Sequence, residues 1–182
     1  MTSYFRKYKP FLLFLGKFFL SYLLLTALYQ WYLFSLKPFE MDAVTKFVGG
    51  HTEWLLKLID SASYLIEDKP DPFMKIIYHG RYVARIIEGC NAVSVIILFV
   101  AFVIAFSGRW KPTVLFILGG SLLIYILNIL RIVFLTVLVY HFPQQEHFLH
   151  GVIFPLLIYG VVFVLWLFWV NKYSQYASGK SK

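Results

Sequence analysis

The sequence predicts an all-α integral membrane protein, and three observations support this fold class. Hydrophobic residues make up 60% of the 182 residues, and aromatic residues alone make up 20%. Charged residues make up only 14%, about half of their usual share in a globular protein. Several apolar runs approach or exceed the roughly 20 residues that a helix needs to cross a bilayer. We therefore predict one membrane domain over residues 1–182, without a soluble second domain.

Four transmembrane helices are predicted from the apolar runs, over about residues 11–36, 88–106, 113–139 and 151–170. The second is the weakest, because its apolar run needs Ile86 and Ile87 to approach the length of a span. The first follows a basic segment, as a signal peptide does. It is longer than the apolar region of a signal peptide, however, and no small-residue cleavage site follows it. We therefore expect it to remain as a membrane anchor.

The charged residues predict how these helices are oriented, because basic residues are retained on the cytoplasmic side of short loops. Three predicted segments carry basic residues and no acid: Arg6, Lys7, Lys9, Arg109, Lys111, Lys172, Lys180 and Lys182. All nine acidic residues fall in the other two segments. Both termini are therefore expected on the cytoplasmic side of the membrane. The net charge of +8 then indicates topology and attraction to anionic lipid, not binding to nucleic acid.

The outer segment, residues 37–87, is predicted to begin with an amphipathic helix on the membrane surface. Its apolar residues recur at helical spacing: Phe47, Trp54, Leu55, Leu58, Ile59, Leu65 and Ile66. Pro70 and Pro72 cannot continue a helix. Beyond them, His79 and Gly80 separate two β-rich stretches. This pattern favours a short hairpin, with a helix that continues into the second span as the alternative.

Three polar groups are predicted to share the depth of the outer membrane boundary. Arg131 lies 18 residues beyond Thr113, which is about 27 Å along a helix and close to the far side of a hydrocarbon core of ~30 Å. Cys90, the only cysteine, enters the second helix at the same boundary. His147 and His150 lie at the outer end of the fourth helix.

A thiol, a guanidinium and an imidazole at one depth can form a cysteine acyl-transfer site. An imidazole, from His150 or from His147, would act as general acid and base for Cys90. Arg131 would favour the thiolate and stabilise the oxyanion of a tetrahedral intermediate. Asn128, one turn before Arg131, would orient the guanidinium.

These residues also resemble a known family. The segment Glu88-Gly89-Cys90-Asn91-Ala92 opens a helix, Asn128-x-x-Arg131 lies in the next helix, and His150 precedes a Gly-hydrophobic helix. The pattern resembles the exosortase and archaeosortase family of membrane cysteine transpeptidases, from about residue 82 to residue 172. The short four-helix form is similar to the exosortase F type from Bacteroidetes.

The resemblance implies an enzyme that cleaves the C-terminal sorting signals of exported proteins at the extracytoplasmic face and transfers them to an acceptor. By position, Cys90 is then the nucleophile, Arg131 the family's arginine, and His150 its histidine, with His147 as the alternative. The implied partners are exported, membrane-tethered proteins, the lipid bilayer and a cell-surface acceptor. No cofactor or metal is implied.

Two alternatives remain from other classes of protein. In a non-enzymatic membrane scaffold or transporter subunit, Arg131 would pair with Glu88, and Cys90 would only pack. In a metal-dependent hydrolase, the ligands would come from the loop and the start of the fourth helix: His141, Glu146, His147 and His150. The chain contains no HExxH pattern to support this second alternative.

Overall fold

The computed structural model describes residues 2–69, 71–106 and 109–173, which are mostly helical with one small sheet. The helices in this part of the chain are α1 Thr2–Phe34, α2 Ala43–Ile59, α3 Val93–Ala105, α4 Trp110–His141, α5 Glu146–Phe148 and α6 Phe154–Lys172. The strands are β1 Tyr64–Glu67, β2 Met74–Tyr78 and β3 Arg81–Ile86. Short helical turns cover Glu88–Cys90, Pro143–Gln145 and Leu149–Ile153.

Three helical stretches of the described residues are long and apolar enough to cross a membrane. They are Phe11–Phe34, Trp110–His141 and Pro143–Lys172. The helix predicted over 88–106 begins only at Val93, and its 13 residues give about 20 Å of length, less than the ~30 Å of a hydrocarbon core. The predicted count of four spans is therefore not confirmed.

Helix α3 is the centre of the membrane bundle, where it packs against α1, α4 and α6. It is apolar on every side, which is typical of a helix buried among others. The buried ring of Phe99 packs directly against Gly120 of α4. The ring of Phe102 stacks on that of Trp166 in α6, with 4.1 Å between their centroids. The shortest apolar helix is thus enclosed by the three longest.

Helix α2 lies outside this bundle and packs against α4 and β1. The Asp42 carboxylate caps it by accepting a 2.9 Å hydrogen bond from the Thr45 N–H. The predicted amphipathic helix is thus present, but it ends at Ile59. Leu65 and Ile66 were wrongly predicted to belong to it, since they lie in β1.

The three strands form an antiparallel sheet in the order β1-β2-β3. The predicted hairpin is β2 and β3, and the alternative of a continuous helix is wrong. His79 and Gly80 both have positive φ, at 48° and 71°, as a two-residue type I′ turn requires. The Asp60 carboxylate accepts a 3.1 Å hydrogen bond from the His79 N–H, which ties this turn to the end of α2. Strand β1 was not predicted.

One face of the sheet packs on the C-terminal half of α4. Ile76 of β2 and Ile86 of β3 are buried there, in one cluster with Ile132 and Val133 of α4. Cys90 lies partly buried against the same cluster. The sheet therefore covers the region of α4 that carries Asn128 and Arg131.

Candidate active site

The turn that carries Cys90 links the sheet to the membrane bundle. It follows β3 after one residue and precedes α3, and the Cys90 N–H donates a 2.9 Å hydrogen bond to the carbonyl of Ile87. Ala92 ends the turn at φ 64°, a left-handed conformation that is uncommon for a residue other than glycine. Cys90 therefore lies before α3 and not within it, and its thiol is free and partly exposed.

Asn91 fastens this turn to two other helices. Its side-chain amide donates to the hydroxyl of Tyr29 in α1 at 2.8 Å and to the hydroxyl of Thr45 in α2 at 3.2 Å. Its side-chain oxygen accepts a 3.0 Å hydrogen bond from the Val93 N–H at the start of α3. Asn91 is almost fully buried. The sequence analysis missed this role, because both partners are distant in the chain.

Asn128 fastens the turn from the opposite side. Its side-chain amide donates a 2.8 Å hydrogen bond to the backbone carbonyl of Cys90, and the residue is 1% exposed. The predicted role for Asn128 was to orient Arg131. The bond that the structure shows is to Cys90, so the orientation of Arg131 by Asn128 stays a prediction.

A small cavity brings the predicted site residues together. Cys90, Arg131 and His150 line it, with Ala84, Arg85 and Ile86 of β3 along one wall. Its volume is about 30 Å³, enough for about one water molecule. The lining comes from β2, β3, α4 and the two turns that carry Cys90 and His150, so distant segments build the cavity.

Arg131 presents an unsatisfied donor in this region. Its Nε–H is buried, and no hydrogen-bond acceptor in the described part of the chain reaches it. A buried donor without a partner costs about 1–3 kcal/mol, so an oxygen acceptor that enters the cavity would relieve this cost. Within residues 2–69, 71–106 and 109–173, no ion pair joins Arg131 to Glu88. The scaffold alternative lacks the contact on which it depended.

The two candidate histidines have different surroundings. His150 lies in the turn Leu149–Ile153 and lines the cavity. His147 lies in α5, is exposed, and is not among the described residues that line the cavity. His141 is directed elsewhere, since its Nδ1 lies 2.9 Å from the carbonyl of Val137. Across the described ranges, no three His, Cys, Asp or Glu side chains are grouped as a metal ion would need.

Together these features define a helical membrane protein in which a thiol, a guanidinium and an imidazole line one cavity. The family model described as transmembrane exosortase (Exosortase_EpsH) matches residues 10–173. The chain therefore belongs to the transmembrane exosortase family, which is known for cysteine transpeptidases. It has no match among curated proteins or among solved structures.

Proposed function

We propose that the protein is a membrane cysteine transpeptidase that cleaves C-terminal sorting signals of exported proteins and transfers the products to an acceptor. Family membership supports a membrane transpeptidase role. The observation that carries the residue assignment is the cavity shared by Cys90, Arg131 and His150. The chain belongs, in this proposal, to the short exosortase F type.

The first half of the reaction breaks the peptide bond. The Cys90 sulfur attacks the scissile carbonyl carbon while the His150 imidazole accepts the thiol proton. The Nε–H of Arg131, which lacks an acceptor in the described structure, donates to the oxyanion that forms. The intermediate then collapses to a thioester on Cys90. His150 returns its proton to the leaving amine, which departs with the membrane-anchored part of the signal.

The second half of the reaction releases the sorted protein. A nucleophile of the acceptor attacks the thioester carbonyl, and His150 takes its proton. The carbon–sulfur bond breaks, and the proton returns to Cys90. Asn128 and Asn91 do not touch the reacting atoms in this scheme. They hold the Cys90 turn between α4, α1 and α2, so that the sulfur keeps its position as the bond orders change.

The proposed site faces the extracytoplasmic side of the inner membrane, with both termini in the cytoplasm. The basic segments support this orientation. Helix α2 fits a position at the membrane surface, since Phe47, Trp54 and Leu58 are 65%, 61% and 68% exposed and lie along one side of the helix. Such a stripe suits a boundary of the bilayer, and the basic segments assign it to the outer one. A cleavage motif just outside the membrane would then reach Cys90.

The function is tested by comparing the wild type with Cys90→Ala in the organism that encodes the protein. We expect a set of exported proteins to accumulate in the variant as longer, membrane-anchored precursors, which mass spectrometry of membrane fractions identifies. Purified wild-type protein that is incubated with one of these precursors should form a hydroxylamine-sensitive adduct at Cys90. Arg131→Ala should reduce the amount of adduct. Identical precursor sets in the wild type and in Cys90→Ala would refute the proposal.

A further inference from the structure

Strand β3 forms one wall of the site. Its residues Ala84, Arg85 and Ile86 line the cavity together with Cys90. The strand ends at Ile86, and the turn Glu88–Cys90 follows after one residue. A peptide whose carbonyl lies at the Cys90 sulfur therefore has β3 as its immediate neighbour.

The outer edge of β3 is unpaired in the described structure. The sheet order is β1-β2-β3, so β2 pairs with one side of β3 and no described strand pairs with the other. An edge strand presents a row of backbone N–H and C=O groups without partners. Arg81, Tyr82 and Arg85 are all exposed along it.

One face of β3 is covered by α4. Ala84 and Ile86 share this face, because side chains alternate along a strand, and Ile86 is buried against the α4 cluster. Arg85 lies on the opposite face, where it is exposed and its guanidinium is 5.5 Å from the centroid of the Phe73 ring. Only the edge of the strand offers unpaired backbone groups to an approaching peptide.

The cavity itself admits very little. At about 30 Å³, it holds one water molecule or a group of similar size, such as a carbonyl oxygen. The residues on either side of a scissile bond must then lie outside the cavity, along the wall that leads to it.

We propose that the cleavage segment of the substrate binds as an extended strand that pairs with the outer edge of β3. This inference rests on the proposed function. Backbone hydrogen bonds to β3 supply affinity and place the scissile carbonyl beside Cys90, while alternate side chains of the segment set specificity. The partner is therefore an extended peptide and not a helix, up to the point where its membrane anchor begins.

Strand β1 provides a control inside the same sheet. It is the opposite edge strand, and it lies two strand spacings, or about 10 Å, from β3. It contacts α2 and contributes no described residue to the cavity. A peptide that pairs with β1 would lie away from the thiol.

The test uses proline, which cannot donate a backbone hydrogen bond. Successive N–H groups of an edge strand point alternately toward its partner and outward. Of Ala84→Pro and Arg85→Pro, one therefore removes a bond to β2 and the other removes only an outward donor. The variant that loses only an outward donor is recognised by its melting temperature, which stays close to that of the wild type. Leu65→Pro and Ile66→Pro give the matched pair in β1.

One β3 proline variant should keep its fold. We expect this variant to process the precursors that accumulate in Cys90→Ala at least tenfold more slowly than the wild type does. Its Cys90 should react with iodoacetamide at the wild-type rate, which shows that the thiol is undisturbed. The folded β1 variant should process normally. Normal processing by the folded β3 variant would overturn the inference while the proposed function stands. If Cys90→Ala accumulates no precursor, the proposed function itself fails.

A second measurement applies if both β3 proline variants unfold. A photo-crosslinking amino acid replaces Tyr82 in β3 or Tyr64 in β1, two side chains that are 55% and 43% exposed. In the Cys90→Ala background, we expect crosslinks to the accumulated precursors from position 82 and none from position 64. Crosslinks of equal strength from both positions, or from position 64 alone, would contradict pairing with β3.

Discussion

The side-chain amide of Asn128 donates a 2.8 Å hydrogen bond to the backbone carbonyl of Cys90. Asn128 and Arg131 lie one turn apart on α4, so they face the same side of that helix. A single rigid element thus holds the turn that presents the thiol and also carries the guanidinium. The relative position of the sulfur and the Arg131 side chain depends on this bond.

Replacing Asn128 with alanine should impair processing more than it impairs folding. Loss of the bond should lower the free energy of unfolding by about 1–2 kcal/mol, because the Cys90 carbonyl loses its partner. Processing should fall at least tenfold, since the turn is no longer fixed to α4. Thermal unfolding in detergent and precursor accumulation measure the two effects. Thr113→Val, near the other end of α4, is the control and should leave processing intact. Unchanged processing in Asn128→Ala would show that the bond does not position the thiol.

Substitutions of His150 and His147 should have clearly different effects on processing. His150 lines the cavity, and His147 does not. Because general acid–base catalysis typically contributes 10²–10⁴-fold, His150→Ala should slow processing by at least about 100-fold. His147→Ala should change it by less than about twofold. Both side chains are exposed, so neither substitution should alter the melting temperature appreciably. The reverse order of effects would assign the imidazole to His147.

Two adjacent glycines of α4 should respond differently to alanine. A Cβ on Gly120 would collide with the buried ring of Phe99, whereas a Cβ on Gly119 would meet nothing. Gly120→Ala should therefore lower the free energy of unfolding by about 1–3 kcal/mol. Gly119→Ala should be neutral or slightly stabilising, since alanine favours a helix over glycine by up to about 1 kcal/mol. Chemical denaturation in micelles distinguishes them, and equal stability of the two variants would contradict the packing of α3 on α4.

The stability of the junction between α2 and the sheet should depend on pH through Asp60. The hydrogen bond from the Ser63 hydroxyl lowers the pKa of this carboxyl, and bonds from the His79 and Ala62 N–H groups lower it further. A lowered pKa in the folded state means that the ionised form stabilises the fold at neutral pH. This stabilisation is lost as the pH falls below about 4.

The substitution Asp60→Asn should test this dependence. The melting temperature of the wild type should exceed that of the variant at pH 7, and the difference should shrink as the pH falls below about 4. Asp71→Asn, which changes an exposed carboxylate, serves as the control and should leave the melting temperature nearly constant. If the difference in melting temperature between the wild type and Asp60→Asn stayed constant with pH, Asp60 would not be the source of the pH dependence.

The sequence predicts the long helices well because bilayer thickness sets the length of an apolar run. The runs behind α1, α4 and α6 are recognisable for that reason. The start of α3 could not be predicted, since Asn91 bonds to Tyr29 and Thr45, which are far away in the chain. Strand β1 could not be predicted for a related reason. Leu65 and Ile66 match a helical spacing, and only their pairing with β2 makes them a strand.

The grouping of the site residues was predictable, but their individual contacts were not. Counting residues along helices predicted that Arg131 and Cys90 lie close together, and both line one cavity; their depth in the membrane stays a prediction. His147 and His150 could not be distinguished, because residues three apart share a face on an α-helix, whereas the chain between them changes to a wider turn at Leu149. Asn128 was assigned to Arg131 because only neighbours on one helix are visible in a sequence.

The short length of α3 bears on the fate of the acyl intermediate in the proposed reaction. Only a short connection separates the end of α3 from the start of α4, so the roughly 10 Å by which α3 falls short of a bilayer lies at its N-terminal end, beside Cys90. A helix of full length would continue through this position, whereas the short α3 leaves the thiol in a partly exposed turn that shares a cavity with the exposed His150. Water can therefore reach a thioester formed there. The partition between hydrolysis and transfer would then depend on how fast the acceptor attacks the thioester relative to water.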